Sequence, residues 1–373
     1  MEKIPVSSAL DRITTWGRTY FDEEEGTLYS NFTCGSFEVD FQGRELQVQF
    51  SAVPDTFVMP VPGKELPPRE DWPFVAVFLD GSETPHSKIR VRDGETITLF
   101  SAEDQEHHRI RIVKLNENFR TCVGIRGFVL DGQLLPFEKD QRDIIEFIGD
   151  SITCGFGNDT ADITHEYESA EEDGWMTHGA IAARRLGLEP RFICVSGISI
   201  ENVTPMPGFY CMRQLYPYAD RVIQEKLAAK RGQENPELVK FDFQAAPARY
   251  VVLNLGTNDA NQIYFREDKE QAELDFEKNY ENFVKEIREL NGPDTVIICA
   301  LGCMDYYLYD KIRDIVEKIK EETGDDRLFT LKYNKMMNVG PDAGGCLHPS
   351  IHRHKLMADD LVKKIQTLQE KGL

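Results

Sequence analysis

A serine lies directly after a stretch of the chain that predicts a buried strand. Residues 144–148, Ile-Ile-Glu-Phe-Ile, form a short, mostly apolar run of the length typical of a strand in a parallel sheet. The run ends at Gly149, and Asp150 and Ser151 follow where the chain must turn. Ligands of open parallel sheets bind beyond the carboxyl ends of the strands, so this position makes Ser151 a candidate nucleophile. The same residue types are common in ordinary turns, and the tripeptide alone leaves both interpretations open.

Three further positions supply the groups that acyl transfer by a serine requires. His348 lies at a loop-to-helix junction late in the chain and is the candidate general base. Gly197 follows the second predicted strand of this half, and Asn258 follows the third. The backbone N–H groups of Ser151 and Gly197 and the side-chain amide of Asn258 are candidate oxyanion donors. Together these residues predict nucleophilic catalysis by Ser151 with His348 as its base.

Other histidines have positions that favour structural roles. They lie at a strand start (His107, His108), in a polar loop (His165), within a helix (His178) and on the predicted exposed start of the last helix (His352, His354). A single histidine is more often structural than catalytic, so only the position of His348 marks it as a base.

The elements that position these residues follow from the second half of the chain. From Arg142 onward, short apolar runs alternate with helical periodicity, which predicts βαβ units and a three-layer fold around a parallel sheet. The predicted strands cover 144–148, 191–195, 250–255, 296–301 and 328–331. The predicted helices cover 175–186, 274–290, the apolar positions between 308 and 319, and the chain from about 351.

The first half of the chain is predicted to be all-β. Alternating apolar and polar residues predict strands at 37–41, 46–50, 74–79, 96–101, 110–115 and 123–130. Turn signals separate them at Gln42-Gly43, Asp80-Gly81, Asp93-Gly94 and Asp131-Gly132. This pattern predicts a β-sandwich of jelly-roll type. The proline-rich stretch 53–72 is predicted to lack regular structure, and the two predicted domains are 1–138 and 139–373.

Composition excludes several classes of function. The 373 residues carry a net charge of −21, which argues against partners that attract basic surfaces, namely nucleic acid and anionic membranes. No apolar run is long enough for a membrane span, and the N-terminal residues do not resemble a signal peptide. We therefore expect a cytoplasmic protein. The eight scattered cysteines fit core thiols, and their spacing fits no zinc site, so we expect neither a metal nor a cofactor.

Four motifs resemble the SGNH, or GDSL-type, hydrolase superfamily. In chain order they are Gly149-Asp150-Ser151, Gly197, Gly256-Thr257-Asn258-Asp259 and His348-Pro349. The β-rich first half narrows the resemblance to carbohydrate esterase family two, as do Gly17-Arg18-Thr19-Tyr20, Leu130-Asp131-Gly132, residues 147–155 and His348-Pro349-Ser350. This resemblance covers nearly the whole chain. It implies a jelly-roll domain and an SGNH hydrolase domain, and a metal-free serine esterase that removes acetyl groups from sugar hydroxyls, often the 6-position of hexoses in plant polysaccharides.

One position departs from the pattern of the family. The superfamily usually has an aspartate three residues before the histidine, where this chain has Gly345. Members of the esterase family often have one two residues before it, where this chain has Cys346. Asp342 is the nearest upstream acid and the candidate orienter of His348. The alternative is a Ser–His dyad oriented by a backbone carbonyl, since the third member orients the imidazole rather than taking its proton.

Two other functions remain open at this point. The first is hydrolysis of another acyl ester or a thioester, for which Met206, Phe209, Tyr210 and Met212 are candidate apolar walls. The second is non-catalytic carbohydrate binding by a protein whose hydrolase half has decayed, which the missing acid favours and intact Ser151, Asn258 and His348 oppose. The oligomeric state, the sugar and the acylated hydroxyl stay undetermined.

Overall fold

The structure is a computed structural model that describes residues 1–57, 67–136, 141–164, 167–201 and 210–373. The chain forms two compact units. The first contains Met1–Gln141, Glu166–Trp175 and Val222–Glu237, and the second contains Arg142–His165, Met176–Arg221 and Leu238–Leu373. The predicted domain boundary between residues 138 and 139 lies outside the described residues and stays a prediction.

The secondary structure follows the predicted change from strands alone to alternating strands and helices. The strands are β1 (Glu2–Pro5), β2 (Ile13–Trp16), β3 (Tyr20–Asp22), β4 (Thr27–Tyr29), β5 (Ser36–Val53), β6 (Asp55–Phe57), β7 (Arg69–Asp71), β8 (Phe74–Leu79), β9 (Ser87–Arg90), β10 (Thr96–Lys114), β11 (Cys122–Leu135), β12 (Ile144–Gly149), β13 (Glu189–Cys194), β14 (Ala248–Asn254), β15 (Val296–Leu301) and β16 (Leu328–Lys332). The helices are α1 (Ser151–Cys154), α2 (His178–Leu186), α3 (Met212–Leu215), α4 (Arg221–Lys230), α5 (Thr257–Tyr264), α6 (Lys269–Asn291), α7 (Tyr309–Thr323) and α8 (Ile351–Gln369). Within the described ranges, no helix is both long and apolar enough to cross a membrane.

The first unit is built on one antiparallel sheet. Its strands follow the order β3-β4-β11-β5-β10-β8-β9, with β1 paired to β11 and β2 paired to β5. Alternate residues of the long strands, among them Leu46, Val48 and Phe50, are fully buried in its core, as their period of two predicts. The predicted jelly-roll class of this half is confirmed, in the form of a single curled sheet.

Two of the predicted turns in this sheet are wrong. β5 and β11 run unbroken through Gln42-Gly43 and Asp131-Gly132, and Gly43 lies opposite Gly132. A Cβ atom on Gly43 would lie 2.3 Å from the carbonyl oxygen of Asp131 and 2.7 Å from Cα of Gly132. These glycines therefore allow two strands to approach closely, which is a second use of the residues that mark turns. β10 likewise joins the predicted strands 96–101 and 110–115 through a shift in register.

The proline-rich stretch 53–72 contains regular structure at both ends. β6 and β7 pair with each other in antiparallel register, so the prediction of an irregular loop is wrong for those residues. Residues 58–66 lie outside the described part of the chain.

The second unit is built on the predicted parallel sheet, which the structure confirms. The strand order is β13-β12-β14-β15-β16, and all neighbouring pairs are parallel. The chain passes from β12 to β13 on one side and then to β14 on the other, so β12 lies at a topological switch point. Gly149 at the end of β12 is in register with Cys194 of β13 and Asn254 of β14. The turns that follow these three strands therefore begin side by side, where parallel sheets bind ligands.

The close contact between β5 and β11 yields a stability prediction. Gly43→Ala should lower the free energy of unfolding by about 3 kcal/mol, because its methyl group would overlap backbone atoms that are fixed by the sheet. Gly94→Ala is the matched control: Gly94 has a φ of +75° but no atom within 4 Å of a Cβ position, so only its left-handed backbone is penalised. Its expected cost is about 1 kcal/mol. Urea unfolding followed by circular dichroism measures both, and equal costs would contradict this account of Gly43.

Candidate active site

The predicted nucleophile begins a short helix directly after the switch-point strand. Asp150 is the N-cap of α1, and its Oδ1 accepts the N–H of Ile152 at 3.0 Å. Ser151 is therefore the first residue of that helix, and it is 8% exposed. Gly149 makes the turn possible, because a Cβ atom there would lie 1.9 Å from Oγ1 of Thr153. The local sequence thus positions the serine hydroxyl at the carboxyl end of β12.

The structure brings His348 to this serine across 197 positions of sequence. Nε2 of the ring lies 2.9 Å from Oγ of Ser151, and Nδ1 lies 3.0 Å from the carbonyl oxygen of Cys346. A carbonyl oxygen only accepts, so Nδ1 carries the proton and Nε2 presents its lone pair to the hydroxyl. Burial lowers the pKa of His348 to about 4, which keeps the imidazole neutral and able to accept a proton at pH 7.

An unusual backbone conformation places the carbonyl oxygen of Cys346 beside Nδ1 of His348. Cys346 and Leu347 have φ values of +51° and +61°, a left-handed conformation that is strained for residues with a Cβ atom. Two short hydrogen bonds hold the segment: Gly344 N–H donates to the carbonyl of His348 and Gly345 N–H to that of Gly157, each at 2.7 Å. The loop after α1 therefore anchors the loop that carries the histidine.

The candidate orienter Asp342 makes its contacts elsewhere. Its Oδ2 accepts the backbone N–H of Met337 at 3.0 Å, and the guanidinium of Arg353 lies 3.9 Å away. The partner of Nδ1 of His348 is the Cys346 carbonyl instead.

Gly345, where the superfamily usually has its acid, is packed against backbone. A Cβ atom there would lie 2.8 Å from Cγ2 of Thr160 and 3.3 Å from Cα of Gly157. An aspartate at this position would require the Thr160 side chain to move and the Gly157 backbone to shift slightly.

The candidate oxyanion donors flank the same strand ends. Gly197 follows β13 with a φ of +78°, and no atom of the described residues lies within 4 Å of its Cβ position, so the left-handed backbone accounts for the glycine. Asn258 is the second residue of α5, and its Nδ2 donates to the carbonyl of Ile198 at 2.9 Å. The side chain of Asn258 thus holds the residue directly after Gly197.

Two carboxyl groups beside the site are fully buried. Asp150 adjoins Ser151, and Asp259 adjoins Asn258 and accepts the N–H of Ile200 at 3.1 Å through Oδ1. Burial raises the pKa of each to about 7. Among the residues that the structure describes, no cluster of His, Cys, Asp or Glu could hold a metal ion.

The prediction that the start of the last helix is exposed is wrong for His354. His354 is 1% exposed, its Nδ1 accepts the backbone N–H of His178 at 3.1 Å, and the two rings stack at 5.5 Å. Burial lowers the pKa of both histidines, so the pair is neutral. The spacing of His354 from Met357 and Leu361, which are buried in α8, is the signal in the sequence that could have identified His354 as buried.

The site also contains a residue that sequence reasoning missed. The ring of Phe156 lies 4.7 Å from the His348 ring and contributes to its apolar surroundings. His165 and the candidate apolar walls Met206 and Phe209 lie outside the described residues.

Two family models together match most of the chain. The model of the GDSL-like Lipase/Acylhydrolase family matches residues 147–351, and that of the Carbohydrate esterase 2 N-terminal domain matches residues 15–137. A cellulase/esterase of Acetivibrio thermocellus is 30% identical over 303 residues, which are 80% of this chain and 34% of that protein. The chain thus spans about a third of the length of this relative. An acetylxylan esterase/glucomannan deacetylase of Cellvibrio japonicus is 26% identical over 275 residues, 71% of this chain and 70% of that protein.

Solved structures have a fold similar to that of this chain. A family two carbohydrate esterase from Clostridium thermocellum, in complex with cellohexaose, has a TM-score of 0.77 at 25% identity and covers 96% of this chain and 99% of its own. An acetyl xylan esterase from the rumen bacterium Butyrivibrio proteoclasticus has a TM-score of 0.80 at 20% identity, covering 99% and 100%. The second shows the fold alone.

The lowered pKa of His348 predicts how activity depends on pH. Imidazolium cannot accept the serine proton, so kcat/KM for 4-nitrophenyl acetate should fall only as the pH drops through about 4. Enzyme held at each acidic pH and then assayed at pH 7 controls for unfolding. A limb centred near 6.5, the ordinary pKa of histidine, would contradict the buried neutral base.

The contact between His348 and Cys346 predicts a small role for Asp342. Asp342→Asn should change kcat/KM by less than about tenfold, because the carboxylate does not hold the ring. His348→Ala is the comparison and should cost on the order of 10⁴-fold or more in kcat. Kinetics on folded, concentration-matched protein measure both. A loss for Asp342→Asn that approaches the loss for His348→Ala would show that the carboxylate reaches the ring.

Proposed function

Because this chain belongs to the GDSL-like lipase/acylhydrolase family and carries the N-terminal domain of the family two carbohydrate esterases, we propose that it is a serine esterase that removes acetyl groups from carbohydrate. One observation carries the proposal. Ser151 Oγ lies 2.9 Å from Nε2 of His348, and the proton on Nδ1 is fixed by the carbonyl of Cys346. This is the geometry of an activated nucleophile with an oriented base.

The first half-reaction acetylates the serine. Nε2 of His348 removes the proton of Ser151 as Oγ attacks the carbonyl carbon of the acetyl ester. The bond from that carbon to the sugar oxygen then breaks, and His348 gives its proton to the departing oxygen. The sugar leaves with a free hydroxyl, and the acetyl group remains on Ser151.

The second half-reaction returns the enzyme to its starting state. His348 removes a proton from water as the water oxygen attacks the acetyl carbon, and it returns that proton to Ser151 as acetate leaves. Negative charge develops on the acetyl carbonyl oxygen in both halves. We assign its stabilisation to the N–H groups of Ser151 and Gly197 and to Asn258, whose amide retains a second N–H beyond the one donated to Ile198.

Exposed aromatic rings support a sugar as the alcohol part of the substrate. α5 begins beside Asn258 and ends about 9 Å further along its axis at Tyr264. The ring of Tyr264 lies 4.9 Å from that of Tyr307, and each residue is 40% exposed. Their hydroxyls are tied to carboxylates, Tyr264 to Asp305 at 3.0 Å and Tyr307 to Glu273. Such fixed amphipathic rings suit the apolar face and hydroxyl rim of a sugar.

The relatives indicate the class of carbohydrate. Their names specify acetylxylan esterase and glucomannan deacetylase, and one solved structure holds cellohexaose. We therefore propose that the substrate is an O-acetylated oligosaccharide or polysaccharide of the plant cell wall.

Acetate release tests the proposed function. We expect wild-type protein to release acetate from acetylated xylan or glucomannan oligosaccharides, and Ser151→Ala to lower kcat on the order of 10⁴-fold or more. The Ser151→Ala protein should keep its circular dichroism spectrum and melting temperature. Acetyl-coenzyme A and 4-nitrophenyl butyrate, assayed in parallel, represent thioester and longer acyl substrates.

Each alternative has its own outcome in this experiment. Sugar binding without acetate release above the Ser151→Ala level would identify a non-catalytic carbohydrate-binding protein. A kcat/KM for the thioester or the butyrate that exceeds that for every acetylated sugar would identify a different acyl hydrolase.

A further inference from the structure

We infer that Asp259 is a positioning residue, which holds the loop 197–200 so that the N–H of Gly197 faces the acetyl oxygen. This inference rests on the proposed function, because it assigns a purpose to that loop. Asp259 touches neither the nucleophile nor the base. It acts through the backbone of the loop.

Two neighbouring residues of α5 form hydrogen bonds with the loop at two points. Asn258 Nδ2 donates to the carbonyl of Ile198 at 2.9 Å, and Asp259 Oδ1 accepts the N–H of Ile200 at 3.1 Å. One bond fixes a carbonyl and the other an amide two residues later. Together they leave the intervening peptides little freedom to rotate about the chain.

Among the residues described, the loop 197–200 has few other restraints close to Gly197. Gly197 has a φ of +78°, and nothing in the described part of the chain lies within 4 Å of its Cβ position, so no described side chain packs there. Within the loop, Ile198 N–H donates to the carbonyl of Val195 at a long 3.3 Å, and Met212 N–H donates to the carbonyl of Ser199 at 2.9 Å. The bonds to α5 therefore add to the restraint that these backbone bonds place on the Gly197 peptide.

Burial of the Asp259 carboxyl group lowers the stability of the fold. The residue is 3% exposed, and among the residues that the structure describes its Oδ2 has no hydrogen-bond partner. A buried carboxyl with an unsatisfied oxygen destabilises the fold relative to an apolar side chain of similar size. Asp150 and Glu201 add negative charge nearby and raise this cost. What this side chain supplies in return is an acceptor aimed at the N–H of Ile200.

The consequence for the reaction is a matter of geometry. An oxyanion donor is effective only at 2.7–3.1 Å from the developing charge, as is generally found for such sites. A displacement of about 1 Å can cost about 10²-fold in rate. Since the charge develops mainly in the transition state, loosening the loop should lower kcat far more than it raises KM.

Three variants test the inference. Asp259→Leu removes the acceptor and should lower kcat for 4-nitrophenyl acetate by about 10- to 100-fold with KM within about threefold. Asp259→Asn keeps an acceptor oxygen and should restore kcat to within about threefold of the wild type. Thr295→Val is the matched control: it removes a buried hydrogen bond, from Oγ1 to the carbonyl of Ala248 at 2.7 Å, at the opposite end of the sheet. It should lower the melting temperature and leave kcat unchanged.

Amide hydrogen exchange of the peptide that contains residues 197–201 provides a readout that does not require activity. We expect faster exchange of this peptide in Asp259→Leu, and wild-type exchange in Asp259→Asn and Thr295→Val. If Asp259→Leu does not fold, Asp259→Ala replaces it in both measurements. Unchanged exchange in the folded variant overturns the inference even where the wild type proves inactive, which separates its failure from that of the proposed function. A kcat for Asp259→Leu equal to that of Thr295→Val, or a loss shared equally by Asp259→Asn, also overturns it.

Discussion

The hydrogen bond from Nδ1 of His348 to the carbonyl of Cys346 determines what the rest of the site can do. It fixes the tautomer, so that the lone pair of Nε2 faces Ser151. A peptide carbonyl is neutral, however, and therefore orients the ring without stabilising imidazolium as strongly as a carboxylate would. Burial outweighs the hydrogen bond to Cys346, which raises the pKa of the ring, and lowers that pKa to about 4. In the proposed mechanism His348 is thus a well-oriented but weak base, and the reaction relies more heavily on stabilisation of the oxyanion.

Placing that carbonyl constrains a wider part of the structure. Two consecutive left-handed residues, Cys346 and Leu347, turn the chain back towards the ring, and the hydrogen bond between Gly345 and Gly157 holds the turn. The same close packing places Thr160 and Gly157 against residue 345, so a side chain there would require them to shift. The absence of an aspartate at this position and the presence of a carbonyl orienter are therefore two results of one packing arrangement. A substitution that introduced the acid would disturb the loop that makes it unnecessary.

The sequence predicted those parts of the structure that have a periodic or positional signal. Apolar runs ending in small or polar residues located the strands that precede Ser151, Gly197 and Asn258 to within a few residues, and parallel pairing then brought their ends together. The glycine pair of β5 and β11 was misinterpreted, because the same residues serve tight turns and close strand contacts. The carbonyl of Cys346 was not predictable as a specific partner, since every residue offers a carbonyl and only the folded backbone selects one.

The electrostatics of the site differ from those of the whole chain. The protein carries a net charge of −21, yet burial favours the neutral forms of the ionisable groups beside Ser151. His348 is neutral at pH 7, and burial raises the pKa values of Asp150 and Asp259 to about 7. Below that pH the oxyanion therefore forms beside protonated carboxyl groups and oriented N–H dipoles instead of ionised acids. Because such dipoles need no reorganisation during the reaction, the position of the backbone donors matters more than the charge of any single residue. In the proposed mechanism, the backbone around Gly197 thus matters as much as the serine and the histidine.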